Sequence, residues 1–150
     1  MYHFFVEPSQ ISDRRVMITG DDVNHIRNVI RLKPGDEISI SNGIDGRDYR
    51  CGIEEITDTE VLCALRFVKE DSVELPSKVY LFQGLPKGDK MEFIIQKMVE
   101  LGVYEIIPVT MKRCVVKLDD RKAKAKTARW QGISEAAAKQ SRRGVVPRVR

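Results

Sequence analysis

Apolar positions alternate with polar ones through much of the first half of the chain and recur at helical spacing through much of the second. Phe4-Phe5-Val6 and Val16-Met17-Ile18 are short runs rich in β-formers. Ile38 and Ile40 alternate with Glu37 and Ser39, followed by an alternation at Tyr49, Cys51 and Ile53 and another at Val61, Cys63, Leu65 and Phe67. A period of two marks a strand with one face in a core. Turn chemistry agrees: Lys33-Pro34-Gly35-Asp36 puts Pro and Gly at the central positions of a type II turn, and Asn42-Gly43 and Asp45-Gly46 supply hairpin residues. Asp21 can cap one short helix whose apolar face is Val23, Ile26, Val29 and Ile30. Residues 1–71 are therefore expected to form a small β-barrel.

Neither period continues through the acidic stretch from Glu70 to Pro76, which predicts a linker at 72–77. Beyond it Val79-Tyr80-Leu81-Phe82 is unbroken apolar sequence, as a parallel strand buried on both faces requires. Asp89 with Glu92 makes a capping-box start, and Met91, Ile94, Ile95, Met98 and Leu101 follow at helical spacing, with Gly102 just past the helix end. Val103 to Val109 reads as a second buried strand, completing a βαβ unit. Asp119 can cap a long helix toward Arg143, with Trp130, Ile133 and Ala137 on one stripe and Lys122, Lys126 and Arg129 on another, before Gly144 and Pro147 stop it. The fold class is thus α/β for residues 78–150 behind a β-rich N-terminal domain.

At 150 residues, with 42% hydrophobic and 32% charged positions, the chain suits one ordinary domain or two small ones. Its longest apolar run, Val103 to Val109, contains Glu105 and falls far short of the roughly 20 residues of a membrane span. Met1 to Pro8 lacks a basic n-region and meets Glu7 and Pro8 early, so a cytoplasmic protein without a membrane partner is expected. Cys51, Cys63 and Cys114 form no CxxC pair and the two histidines lie far apart, so neither a disulfide nor a metal framework is expected.

Charge changes the picture more. Residues 1–71 carry 9 Lys and Arg against 14 Asp and Glu, whereas residues 72–150 carry 17 against 8. The second half is the one expected to attract a polyanion. Lys112 to Arg150 alone holds 13 basic and 3 acidic residues. An RNA or DNA surface accounts for so one-sided an excess, and the plain alternative is a solvated helix face. Glu135 to Arg143 gathers a carboxylate, Gln140, Ser141, Arg142 and Arg143 at a helix end, where a base or phosphate could be gripped. Equally, Gln140 and Ser141 could only finish the helix while the arginines favour its negative C-terminus. Arg27, Arg31 and Lys33 form a basic spot in the otherwise acidic first half, with His25 beside them as a structural residue. Lys87 lies in a glycine-bearing strand-to-helix turn, Gly84 to Lys90, which lacks the Walker and GxGxxG spacings. No Ser/His/Asp or Cys/His arrangement can be assembled, which disfavours hydrolase chemistry.

Gly84 to Gly102, Ile107-Pro108, Arg113 to Asp119 including Lys117, Trp130, Glu135 to Arg142 and Val146-Pro147, together with His25 to Asp36, resemble the RsmE family of 16S rRNA uridine-N3 methyltransferases. The resemblance covers nearly the whole chain, residues 78–149 being similar to the first half of the catalytic domain. It implies a PUA-like β-barrel at 1–71, the first part of a SPOUT-type α/β domain at 78–150, S-adenosylmethionine as cofactor, no metal, 16S rRNA or the small ribosomal subunit as partner, and a homodimer. The family's GPEGG-type and GPRxLR-type segments, which build the knotted donor pocket, have no counterpart before Arg150, so an incomplete and inactive portion is expected, with the donor site elsewhere.

Uridine N3 lies on the Watson–Crick edge, so the base must be unpaired before N3 can attack a sulfonium methyl, and charge then develops on O2 and O4. Gln140, Ser141, Arg142 and Arg143, with Lys87, Arg113, Arg27, Arg31 and Lys33, are the expected RNA-binding residues. Catalytic residues are not assigned; Glu100 and Glu135 are general-base candidates. A non-catalytic RNA-binding module is the alternative reading.

Overall fold

In the computed structural model, which describes residues 1–70 and 74–150, the alternating stretches of the first half pair into one curled sheet. The chain separates into two units, Met1–Val73 and Glu74–Arg150.

The first unit holds β1 (Tyr2–Phe5), β2 (Arg15–Thr19), β3 (Glu37–Ser41), β4 (Asp48–Ile56) and β5 (Glu60–Lys69), ordered β1-β3-β4-β5-β2. Only β1 and β3 run parallel; the other ladders are antiparallel. Among the described residues no ladder joins β1 to β2, so the expected barrel is a half-barrel with two edges. Its core holds Phe4, Ile18, Ile26, Ile38 and Ile40, each 1% exposed or less. Burial of such side chains stabilises the unit by about 1.5–3 kcal/mol apiece.

The Lys33 to Asp36 turn forms as its residues require: Gly35 takes φ 97° and the Asp36 N–H donates to the Lys33 carbonyl at 3.0 Å. Two expectations need correction. Gly20, at φ 77°, caps α1 (Asp21–Asn24) in place of Asp21, and the helix widens into a π turn over His25–Val29. The Ile30 N–H reaches the His25 carbonyl at 3.0 Å, and the extra residue in that turn moves Val29 off the apolar stripe into solvent. On β5 a register shift opposite Arg50 and Cys51 leaves Arg66 unpaired, so beyond it Val68 packs against the core and Phe67 faces outward.

In the second unit β6 (Tyr80–Gly84), β7 (Glu105–Val109) and β8 (Arg148–Val149) form a parallel sheet with β7 central. Helix α2 (Lys90–Glu100) connects β6 to β7, and α3 (Asp120–Gln140) precedes β8. Sequence periodicity gives no sign of β8. Side chains of α3 hold it: the Val149 N–H donates to Gln131 Oε1 at 2.9 Å, and Ser134 Oγ donates to the Pro147 carbonyl at 2.6 Å.

Met91, Ile95 and Val99 form the buried stripe of α2, and Leu101 is exposed. The helix ends in a Schellman pair, Gly102 N–H to Val99 and Val103 N–H to Met98, with Gly102 at φ 100°. Its expected capping box does not form: the Asp89 side chain accepts no cap hydrogen bond, and Glu92 accepts one from Arg129 Nε of α3 at 2.6 Å. Asp119 does cap α3, accepting from the Lys122 N–H at 2.8 Å. β6 is an edge strand rather than one buried on both faces, with Tyr80 and Phe82 exposed. Asp71, the last residue of the expected barrel, and Ser72 and Val73 of the expected linker lie outside the described residues, while Glu74 packs within the second unit. Among the described residues no helix is long and apolar enough to cross a membrane.

Candidate nucleic-acid interface

β6 and β7 are parallel neighbours, so the loops that leave their carboxyl ends emerge side by side. β6 ends at Gly84 and β7 at Val109, and the segments that follow them face each other. They enclose a cleft of about 560 Å³, whose lining joins apolar Leu85, Met111 and Val115 to the cations Lys87, Lys112 and Arg113. The Met111 side chain packs over Gly84, where a Cβ would lie 2.8 Å from its Sδ. The Leu85 N–H extends the β6–β7 ladder to the Val109 carbonyl at 3.1 Å, and the Cys114 N–H turns back to the Met111 carbonyl at 3.0 Å. Lys87 and Arg113, expected separately from sequence, thus line one cleft. Lys112 was missed as a particular residue, although it lies in the basic run from 112 to 150.

The second locus is the end of α3. Ser141 closes the helix, its Oγ donating to the Ala137 carbonyl at 2.7 Å, so this hydroxyl is not free to donate to a phosphate. The Arg142 N–H donates to the Lys139 carbonyl and the Arg143 N–H to Ala138, again the Schellman pattern. Arg142 therefore occupies the left-handed position that favours glycine, at φ 56°, and its residue is exposed along with Gln140. Arg31, exposed beyond the π turn, is the other described non-glycine residue at positive φ, 54°. Two of the basic residues singled out from sequence thus hold backbone conformations costing about 1–2 kcal/mol.

Arg143, expected from sequence among the RNA-binding residues, is buried. It is 5% exposed, and its guanidinium is enclosed by Glu74 and the carbonyls of Val99 and Val103. Glu74 Oε1 also accepts the N–H groups of Gly144 at 3.0 Å and Val145 at 3.2 Å. The pair ties the start of the unit to the end of α2 and to the segment before β8. A charge run alone cannot distinguish such a clasp from a surface cation, and Glu74 stands in the sequence as one of several acids of the expected linker.

In the first unit Arg27, Arg31 and Lys33 lie on the surface about the end of the π turn. Arg27 is paired with Asp58, an ion pair that an incoming phosphate would have to displace. The general-base candidates are also engaged: Glu100 pairs with Lys97 at 3.0 Å and Glu135 accepts from Gln131 at 3.5 Å, neither lining the cleft. Burial pushes the Cys51 and Cys63 thiols up to about 12, as packing cysteines require, whereas Cys114 is half-buried at the cleft. Among the described residues no three His, Cys, Asp or Glu side chains gather as a metal site.

Comparison with known proteins follows the same division of the chain. A family model described as an RNA methyltransferase PUA domain matches residues 18–66, and one described as an RNA methyltransferase domain matches residues 73–150. The chain belongs to this RNA methyltransferase family, in the branch whose curated members are called ribosomal RNA small subunit methyltransferase E. The Bacillus subtilis member is 45% identical over 99% of this chain and 59% of its own length. A crystal structure of a hypothetical protein, 44% identical, superposes with a TM-score of 0.90 over 99% of this chain and 62% of that one. The Neisseria gonorrhoeae ribosomal RNA small subunit methyltransferase E, solved bound to S-adenosyl methionine, is 33% identical with a TM-score of 0.84, over 100% of this chain and 61% of that one. The chain thus spans about three fifths of the length of these relatives.

Proposed function

We propose that this chain serves methylation of uridine N3 in 16S rRNA, acting in the cytoplasm on the small ribosomal subunit as part of a homodimer, with S-adenosylmethionine as donor. The observation that carries the reading is the agreement between two RNA methyltransferase family matches and a second unit whose cleft carries Lys87, Lys112 and Arg113. These three cations and Arg142 would hold the phosphates on either side of an unpaired uridine. The half-barrel cations Arg31 and Lys33 would hold another stretch of the same RNA.

The cleft does not fit the donor. S-adenosylmethionine carries a sulfonium cation, and the lining offers three cations and no carboxylate. The second reading is a module that binds RNA without catalysing transfer. Calorimetric titration of the chain with S-adenosylmethionine is expected to give no saturable heat; saturable heat would exclude the module and assign donor contacts to residues read as packing or RNA-binding.

Methylation at N3 removes a Watson–Crick donor, so it arrests reverse transcription. Disrupting the gene for this chain and mapping arrests along 16S rRNA tests the reading. One arrest at a uridine is expected to vanish and to return on complementation; an unchanged pattern would overturn the assignment.

A further inference from the structure

We propose that the cleft beyond β6 and β7 holds one unpaired nucleotide of the RNA by its base faces and its phosphate, without reading which base it is. The inference rests on the RNA-binding reading above and adds to it the kind of contact made at this place. Pockets for small ligands run from about 300 to 1,000 Å³, and a cleft of about 560 Å³ admits a purine or a pyrimidine with its ribose.

The distribution of chemistry within it is specific. Its apolar lining combines Leu85, buried at 8% exposure, with the exposed Met111 and Val115. Apolar groups and a polarizable thioether suit the faces of a base, which all four bases share. Lys87, Lys112 and Arg113 are exposed and suit a phosphate, whose charge is likewise independent of sequence.

The lining holds none of the side chains that accept from a base edge, no Asn, Gln, Asp, Glu, Ser or Thr, so nothing in it can pair with the uridine N3–H, and its three cations are the groups that meet the phosphate. Cys114, the remaining lining residue, is a weak hydrogen-bonding group. A cleft of this composition positions a strand and leaves the choice of the methylated base to other groups. Its occupant is therefore a neighbour of the target nucleotide.

The test is NMR titration of the 150-residue chain with uridine 5′-monophosphate, adenosine 5′-monophosphate, uridine and inorganic phosphate, following the amides of 84–88 and 111–115. Both monophosphates are expected to shift these amides with affinities within about threefold of each other, and uridine to bind at least roughly tenfold more weakly. Met111→Ala is expected to weaken both monophosphates and leave inorganic phosphate unchanged. Lys87→Ala with Arg113→Ala is expected to weaken all three anions. Inorganic phosphate matching the monophosphates would reduce the cleft to an anion site and overturn the proposal, as would a preference of more than about tenfold for one base. Silent amides with RNA binding intact would overturn this inference alone, and silent amides with no RNA binding would overturn the proposed function as well.

Discussion

Replacing Arg143 by methionine separates a structural clasp from an RNA contact. The side chain is 7% exposed and that of Glu74 is 16% exposed, so the ion pair is screened little by solvent. Methionine keeps most of the aliphatic volume but removes the guanidinium, leaving Glu74 Oε2 without this partner and the Val103 carbonyl without its donor. Breaking a buried pair from one side costs about 3–5 kcal/mol, because the remaining charge stays buried without its counterion. The backbone N–H groups of Gly144 and Val145 still reach Glu74 Oε1, which places the expected loss toward the lower figure. Urea denaturation followed by circular dichroism measures it. Glu74→Leu with Arg143→Met is expected to be less destabilised than the sum of the two single changes, since it removes both charges together. A single Arg143→Met chain within about 0.5 kcal/mol of the parent, with a shallower salt dependence of RNA binding, would refute the clasp and restore Arg143 to the RNA surface.

Three further outcomes are expected. Arg142→Gly relieves a left-handed arginine and should raise stability by about 1 kcal/mol while lowering the salt slope of RNA binding by about 1, both read on the same preparation. With a thiol reagent at mildly alkaline pH, Cys114 should react in the native chain, while Cys51 and Cys63, buried and pushed up to about 12, should react only after denaturation. The hydrogen bond from Arg129 holds the Glu92 carboxyl below the ordinary glutamate range, so its contribution to the α2–α3 packing is present above that range and disappears as pH falls through the depressed folded value. Melting curves of the parent and Arg129→Ala should therefore differ at neutral pH and converge in acid.

Period and turn residues made the strands of the first unit and the strand–helix–strand order of the second legible, because a strand with one face in a core alternates and a type II turn takes a positive φ at its third residue, as Gly35 does at 97°. Features that depend on distant partners were not legible. The strand at Arg148–Val149 is too short to show a period and is held by Gln131 and Ser134 of α3. Phe67 continues the alternation of β5 in sequence, but a single unpaired residue, Arg66, turns it to the outer face. Among the site residues, Lys87 and Arg113 could be named from their motifs, while their meeting in one cleft required β6 and β7 to be parallel neighbours. Arg142 and Arg143 are adjacent and chemically identical, and only the helix end separates them: one is carried outward at φ 56° and the other is buried against Glu74.

The most direct measurement is the affinity of this chain for 16S rRNA as a function of salt, compared with a chain carrying Lys87→Ala, Arg113→Ala and Arg142→Ala. Each phosphate left without its cation should flatten the slope of log affinity against log salt by about 0.7–0.9, so the triple change is expected to reduce it by roughly 2 to 3. An unchanged slope and affinity would mean that the basic second unit meets RNA elsewhere or not at all, contradicting the assignment of these three cations to the RNA phosphates.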